Sequence, residues 1–488
     1  MPLHLVQPKT ASQKAFGLWS AVFLGIGSMV GAGIFIVIGE AGAIAGKWVV
    51  ATFLLGGIIA LLCGYSLAKL AIRYPSRGGI IEYLVQLYGE GVFSGALGIL
   101  FYLSQLIALA AVAKSFGTYA STYTAGGITD LTTNLFATAI VALFVVINLL
   151  GANLVARSEN LIVLVKLGAL TIFTVAALFF IQPDHLQFER HLPFINVFYA
   201  LGLVFFAYQG FSVITNSVED MTQPEKTMLK SMTLAIVIVA LLYVSVTIAV
   251  FGNLTLPEII KAQDFALAEA AKPAFGEWGF KIMAATALIA TASAINATLY
   301  ATTQISYTLV KEGNLPNFYQ FNVFHNAEGL LLSALIIMPL IWGFHLGQIA
   351  SLAAITVLLI QGFTHLGHLF KLDETHANRW LILATVFGTF GAAWFALDYT
   401  SQKMPHLGYW LAGALLVAML FEILLRLLTH RTISPQIDAA IAEMENLYRR
   451  WESELNSLWQ MRKQQSQSLL DQRLQNKSST TPNPPPQP

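Results

Sequence analysis

The chain has 488 residues, of which 56% are hydrophobic and only 11% charged, with 27 Lys and Arg against 26 Asp and Glu. Soluble domains carry roughly 25% charged residues, so the composition excludes a water-soluble globular protein, and the absence of any basic block excludes a nucleic-acid-binding surface. The single cysteine, Cys63, leaves no intrachain disulfide and lies in an apolar run with nothing electropositive beside it, which reads as a structural thiol.

About 20 apolar residues in helical form cross a bilayer core, because every backbone polar group must be bonded within the segment. Hydropathy and turn punctuation predict spans near residues 16–40, 48–70, 92–120, 132–152, 158–182 and 193–218. A second set is predicted near 231–252, 279–310, 330–345, 347–371, 380–398 and 407–428, with the weakest division at His345–Gln348. The fold expected is therefore an all-α membrane protein of about twelve transmembrane helices. The polar start runs into the first span without a small-residue cleavage site, so that span is expected to be retained.

Lys and Arg are enriched in cytoplasmic loops. Lys69, Arg73, Arg77, Arg157, Lys226, Lys230, Lys311, Lys371 and Arg379 fall on the same side as Lys9, Lys14, Arg426 and Arg431. That side is predicted to be the cytoplasm, with both termini there. Beyond Ile433, apolar residues at Ile437, Ile441, Met444, Leu447, Trp451, Leu455 and Leu458 follow helical spacing in a polar segment, which predicts an amphipathic helix near the membrane surface. The Pro-rich end reads as disordered.

Gly25, Gly27, Gly31 and Gly33 fall in the middle of the first span, where each glycine weakens a helix by ~1 kcal/mol relative to alanine. Either they allow close helix packing or they interrupt the helix, and freed backbone groups must then line a cavity. The sixth span carries a similar break signal at Gln209 and Gly210, five spans later, as an inverted repeat of five helices would produce with substrate between the breaks. A zwitterionic amino acid suits such a place. Its carboxylate takes freed N–H groups at the N-terminal end of one half-helix and its ammonium takes freed carbonyls at the C-terminal end of another.

Lys166 lies well inside the fifth span, where a charged lysine is costly enough to mark function. It reads as a proton-coupling residue, with snorkelling to the interface as the alternative. Lys114 lies near the external end of the third span and reads as snorkelling, whereas Glu219 and Asp220 are expected to pair with Lys226 or Lys230. His365 and His368, three residues apart, do not make a metal site without further ligands. Neither a Walker-type phosphate loop nor a nucleophile elbow is present, so no enzyme chemistry and no cofactor is expected.

Four segments together carry a resemblance. They are GSMVGAGIF at Gly27–Phe35, YSLAKLAIRYPSRGGIIEYL at Tyr65–Leu84, FFAYQGFSVITNSVEDMTQPEKTM at Phe205–Met228 and NATLYATTQISYTLVKEGNLP at Asn296–Pro316. In these the chain resembles the amino acid, polyamine and organocation transporter superfamily. The resemblance implies a five-plus-five inverted-repeat core like that of sodium symporters, with broken first and sixth helices and two further C-terminal helices. The division it implies is a cytoplasmic tail at 1–15, a transport core at 16–371, helices eleven and twelve at 372–430 and a cytoplasmic tail at 431–488. It also implies that N–H groups around Ala32 and Gly33 hold the substrate carboxylate, and that the carbonyls of Met29, Phe206 and Gln209 hold its ammonium. The Phe206 ring would gate the site, with Ser212 nearby. The stretch VLVKLG resembles proton-coupled bacterial members, in which the lysine replaces a sodium ion; this would place Lys166 near the carbonyls of Gly27 and Val30, with Thr291 or Ser293 as neighbours.

Members selective for cationic side chains often place a glutamate in the third span, where this chain has the uncharged Ser104 and Gln105. The expected function is proton-coupled uptake of a neutral amino acid across a bacterial inner (plasma) membrane, with protons and the lipid bilayer as its other partners. The alternatives are an amino acid/amine antiporter for a cationic amino acid or polyamine, and a membrane sensor acting through its C-terminal tail.

Overall fold

The computed structural model describes residues 17–31, 33–150, 153–186, 193–311, 313–316 and 328–429, and in the C-terminal segment 449–451, 453 and 457. Twelve membrane-crossing segments run through the described residues, and no strand is found among them. The first is broken into Leu18–Met29 and Gly33–Ala45. Spans two to five are Val49–Arg73, Val92–Ser121, Asp130–Leu150 and Asn153–Leu178. The sixth is again discontinuous, with Asn196–Tyr199 and Leu201–Tyr208 followed by the 3₁₀ segment Phe211–Asp220. Spans seven to twelve are Pro224–Asn253, Lys272–Lys311, Glu328–Gly343, Leu346–His368, Arg379–Lys403 and Leu407–Leu428. Breaks in the first and sixth members of ten helices, with two more helices following, define the five-plus-five inverted-repeat architecture of secondary transporters.

The sequence accounts for most boundaries. Pro224 opens the seventh span, where a missing N–H costs nothing, and the Asn378 side chain caps the eleventh by accepting from the amide of Trp380 at 2.9 Å. The ninth and tenth spans divide at His345, whose amide donates to Gln348 Oε1 at 3.0 Å, so the expected weak division is a real one. Three spans begin well before the expected residue, the seventh among them at Pro224. The fifth starts at Asn153, and the eighth starts at Lys272 and bends where Gly276 takes φ 63°. Exposed Trp278, Trp380 and Trp410, near span ends, have the amphipathic rings that suit membrane–water interfaces.

Inside the bundle the seventh span packs along the second, the eighth along the third, and the tenth against the third and eleventh. Span ends that carry Arg73, Arg77 and Lys371 define one face of the bundle, here the Arg73 face. The opposite face carries the short helices Leu256–Lys261 and Ala266–Glu269 and is here the Glu258 face. Cys63 is fully buried in the second span, in keeping with a structural thiol.

Residues 430–488 form a second unit, in which 449–451 are helical and Trp451 is 60% exposed. The rest of the expected apolar stripe, Ile437, Ile441, Met444, Leu447, Leu455 and Leu458, lies outside the described residues, as does the Pro-rich end.

Candidate functional site

The site is built by the two breaks. The first half-helix ends where the Val30 amide still reaches Ile26 O at 2.8 Å, but Gly31 N–H turns back to Met29 O at 2.8 Å and the ladder stops. In the sixth span Tyr208 is the last helical residue. Gln209 is extended (ψ 142°), its amide donating to Phe206 O at 3.1 Å, and Gly210 takes φ 120°. That angle lies in the region that L side chains rarely adopt.

The breaks lie against each other. A Cβ on Gly210 would stand 2.8 Å from the carbonyl carbon of Ser28, and a Cβ on Gly33 would stand 2.7 Å from Ala207 Cα. Only glycine permits backbone to approach backbone so closely. Gly31 faces Ala294 of the eighth span, which closes a third side. Ile34–Gly42 and Leu201–Tyr208, on the Glu258 side of the breaks, are buried, whereas Ser28 is exposed and Gln209, Gly210 and Ser212 are half-buried. The structure is thus closed toward the Glu258 face.

Among the residues expected to hold substrate, Met29, Gly33, Phe206, Gln209 and Ser212 all lie at these breaks, while Ala32 lies outside the described residues. Phe206 is 7% exposed. The Ser212 carbonyl accepts from the Thr215 hydroxyl at 2.6 Å, and Phe206 O is engaged by Gln209. Met29 O has a partner that sequence reasoning missed: Tyr243 of the seventh span, fully buried, places its hydroxyl 2.7 Å from Met29 O and 3.2 Å from Ala207 O. No local signal marks Tyr243, which sits in an ordinary apolar run.

Lys166 is 1% exposed and donates from Nζ to Gly27 O at 2.7 Å. With the fifth span starting at Asn153, Lys166 is some 20 Å along it by helical rise, too deep for its stem to reach the interface. Val30 lies in the break three residues beyond Gly27, and Ser293 is buried on the eighth span, while the Thr291 hydroxyl donates to its own helix at Ala287 O, 2.7 Å away.

Two other readings are corrected. Lys114 does not snorkel to water: at 4% exposure its ammonium donates to Ile341 O at 2.9 Å and to Phe344 O, satisfying carbonyls freed at the end of the ninth span. Glu219 and Asp220 pair with Arg77, at 3.4 Å and 2.8 Å, and so link the sixth span to the loop after the second. His365 and His368 share the Ser66 hydroxyl, each Nδ1 lying 2.8 Å from it, and no group of three metal-ligating side chains occurs among the described residues.

Sequence reasoning also passed over Glu40. This residue is 8% exposed and accepts from Gln263 Nε2 at 3.4 Å. Its carboxyl lies near that of Asp264, where the loop before the eighth span seals the Glu258 face. Beside the pair is a cavity of about 300 Å³ lined by Lys114, Thr118, Asp130, Thr133, Asp264 and His345. Burial raises the Asp264 carboxyl above the usual carboxylate range.

Broken helices that meet at mid-bundle and a site closed toward one face define a multi-pass membrane transporter of small molecules. The sequence matches the amino acid permease family model over residues 16–425, and the chain belongs to that family. It is 34% identical to an uncharacterized protein of Methanocaldococcus jannaschii, over 86% of this chain and 97% of that one. It is also 32% identical to the inner membrane transport protein YbaT of Escherichia coli, over 85% and 96%. A methylthioribose transporter of Bacillus subtilis is 26% identical over 65% and 72%.

Proposed function

We propose that this permease takes up a neutral amino acid by proton symport across the bacterial inner (plasma) membrane, with the Arg73 face and both termini in the cytoplasm. The observation that carries the reading is the buried hydrogen bond from Lys166 to Gly27 O, because it ties a titratable cation to the first-span break. Protonated, the ammonium holds the break as a metal ion would. Deprotonated, it releases it.

The substrate carboxylate takes N–H groups near Ala32 and Gly33, and the ammonium takes carbonyls at Met29, Phe206 and Gln209, with Ser212 beside it and Phe206 covering it. Ser104 and Gln105 provide no counter-ion on the third span, which favours a neutral side chain. Residues 16–371 form the transport core in this reading, helices eleven and twelve at 372–430 support it, and the tail is dispensable for uptake.

The test is uptake of L-alanine, L-serine, L-leucine, L-lysine and methylthioribose into proteoliposomes, with and without an inward proton gradient. Gradient-stimulated uptake of a neutral amino acid is expected. Uptake that ignores the gradient and requires internal substrate would make the protein an exchanger, and preference for lysine would remove the neutral-substrate reading.

A further inference from the structure

We infer that the cavity on the Glu258 face is a capture site for a free small amino acid, whose carboxylate is held by Lys114 and whose ammonium is held by Asp130 and Asp264. The inference takes its ligand class from the transport reading above and uses neither the breaks nor Lys166.

The floor of the cavity is made of the buried Lys114, Thr118 and Thr133, and its mouth of the exposed Asp130 and His345. An ammonium has three donors. Two of those on Lys114 serve Ile341 O, at 2.9 Å, and Phe344 O among the described residues. These bonds fix Nζ in place and leave the third donor for a ligand oxygen. Ser121 gives its own proton to Gly117 O at 2.8 Å, so Thr133 is the donor in their contact of 3.5 Å. So long a contact holds its proton weakly, and a carboxylate beside Lys114 can take it.

Both signs of charge line one space of about 300 Å³. A simple anion there would satisfy Lys114 and face two carboxyls, and a metal cation would face the ammonium. A ligand that carries both charges a few ångströms apart leaves no like charges opposed. Asp130 has His345 Nδ1 at 3.9 Å, beyond hydrogen-bonding distance, and Asp264 lies near Glu40, so each carboxyl gains from an added cation. Ile128 and Leu346 are the apolar side chains of the lining, which suits a short side chain such as that of alanine or serine. Glu40 stands seven residues beyond Gly33 on one half-helix, ~10 Å by helical rise. A molecule captured beside Asp264 therefore waits about two helical turns from the breaks, outside the buried segments that close the path.

The test is protection of a cysteine. In a Cys63→Ala background, Ile128→Cys places a thiol on the exposed rim of the cavity. Its reaction with a bulky methanethiosulfonate is followed in detergent at pH 7 as L-serine or L-alanine is added. Saturable slowing by severalfold is expected. Asp130→Asn should raise the half-protecting concentration about tenfold or more, as loss of one charged hydrogen-bond partner does. Ethanolamine and L-glycerate, which each carry one of serine's two charges, should not protect. The half-protecting concentration should be unchanged in Gly210→Ala, where the breaks are disturbed. Protection lost in Gly210→Ala would trace it to the breaks and overturn the capture site. No protection by either amino acid, equal protection in Asp130→Asn, or protection by ethanolamine or L-glycerate as good as by serine would overturn it too. Protection in a protein that transports no amino acid would keep the capture site and overturn the transport reading instead.

Discussion

Lys166 and Gly27 are joined at 2.7 Å across two helices, the only titratable side chain of the fifth span's interior meeting the backbone one turn before the first break. A hydrogen bond from a charged donor contributes about 1.5–3 kcal/mol, enough to bias the break between two arrangements. Lys166→Ala is expected to abolish the stimulation of uptake by a proton gradient while leaving equilibrium exchange measurable. Gradient stimulation equal to wild type, with an unchanged pH profile, would remove Lys166 from the coupling.

Gly210 is where backbone strain would be felt most directly. At φ 120° and with Ser28 backbone 2.8 Å from where a Cβ would stand, Gly210→Ala carries a strain of about 1–3 kcal/mol together with that collision. Transport is expected to fall at least about tenfold, while the variant still elutes as a single species in detergent. Retained wild-type uptake would mean that the breaks need not touch during transport.

The Ser66 hydroxyl joins two imidazoles, and its one proton orders them. Thr375 Oγ1 donates to Lys371 O at 3.0 Å, so it accepts from His368 Nε2–H at 2.9 Å. His368 Nδ1 must then accept from Ser66, and Ser66 from His365 Nδ1–H. Ser66→Ala leaves two buried imidazole nitrogens without their partner, at about 1–3 kcal/mol each. A fall of several degrees in the detergent melting temperature is expected; a change within one degree would show that the second and tenth spans are not held together here.

Asp264 makes the Glu258 face sensitive to pH. Its carboxyl is raised by burial in the closed arrangement, so that arrangement binds the proton more tightly than an opened one would. Closure is then fully supported below the ordinary carboxylate pKa and weakens as pH rises through the raised value. Glu40, Lys114, Asp130, His345 and Lys403 are the charged or titratable groups around it. In a Cys63→Ala background, a cysteine at the cavity-lining position Thr118 should be labelled faster as pH rises. Asp264→Asn, with the same cysteine, removes the part of that rise that the thiol's own titration does not supply. Identical pH profiles in the two proteins would show that Asp264 does not govern the gate.

The breaks were legible because their signal is local: glycines at 27, 31, 33 and 210 interrupt apolar runs in corresponding members of two sets of helices. Lys166 was legible because a lone ammonium in an apolar span is costly, although its partner at Gly27 came from family resemblance and not from spacing. Arg77 was missed as the partner of Glu219 and Asp220 because Lys226 and Lys230 are nearer along the chain, whereas the loop after the second span brings a residue 143 positions away within 2.8 Å of Asp220. Lys114 was misread for a similar reason. Its depth was judged from its own helix, but the carbonyls it satisfies end another one.

Composition and hydropathy alone determined that the chain is a bundle of about twelve membrane helices, because a bilayer leaves a backbone no other way to satisfy its polar groups. Which side chains serve the freed groups was decided only by tertiary structure. Tyr243 and Met29 are 214 residues apart, and a tyrosine in an apolar run carries no mark of the carbonyl it will face. A hydrogen bond depends on the position of both partners, and packing across the bundle places the second.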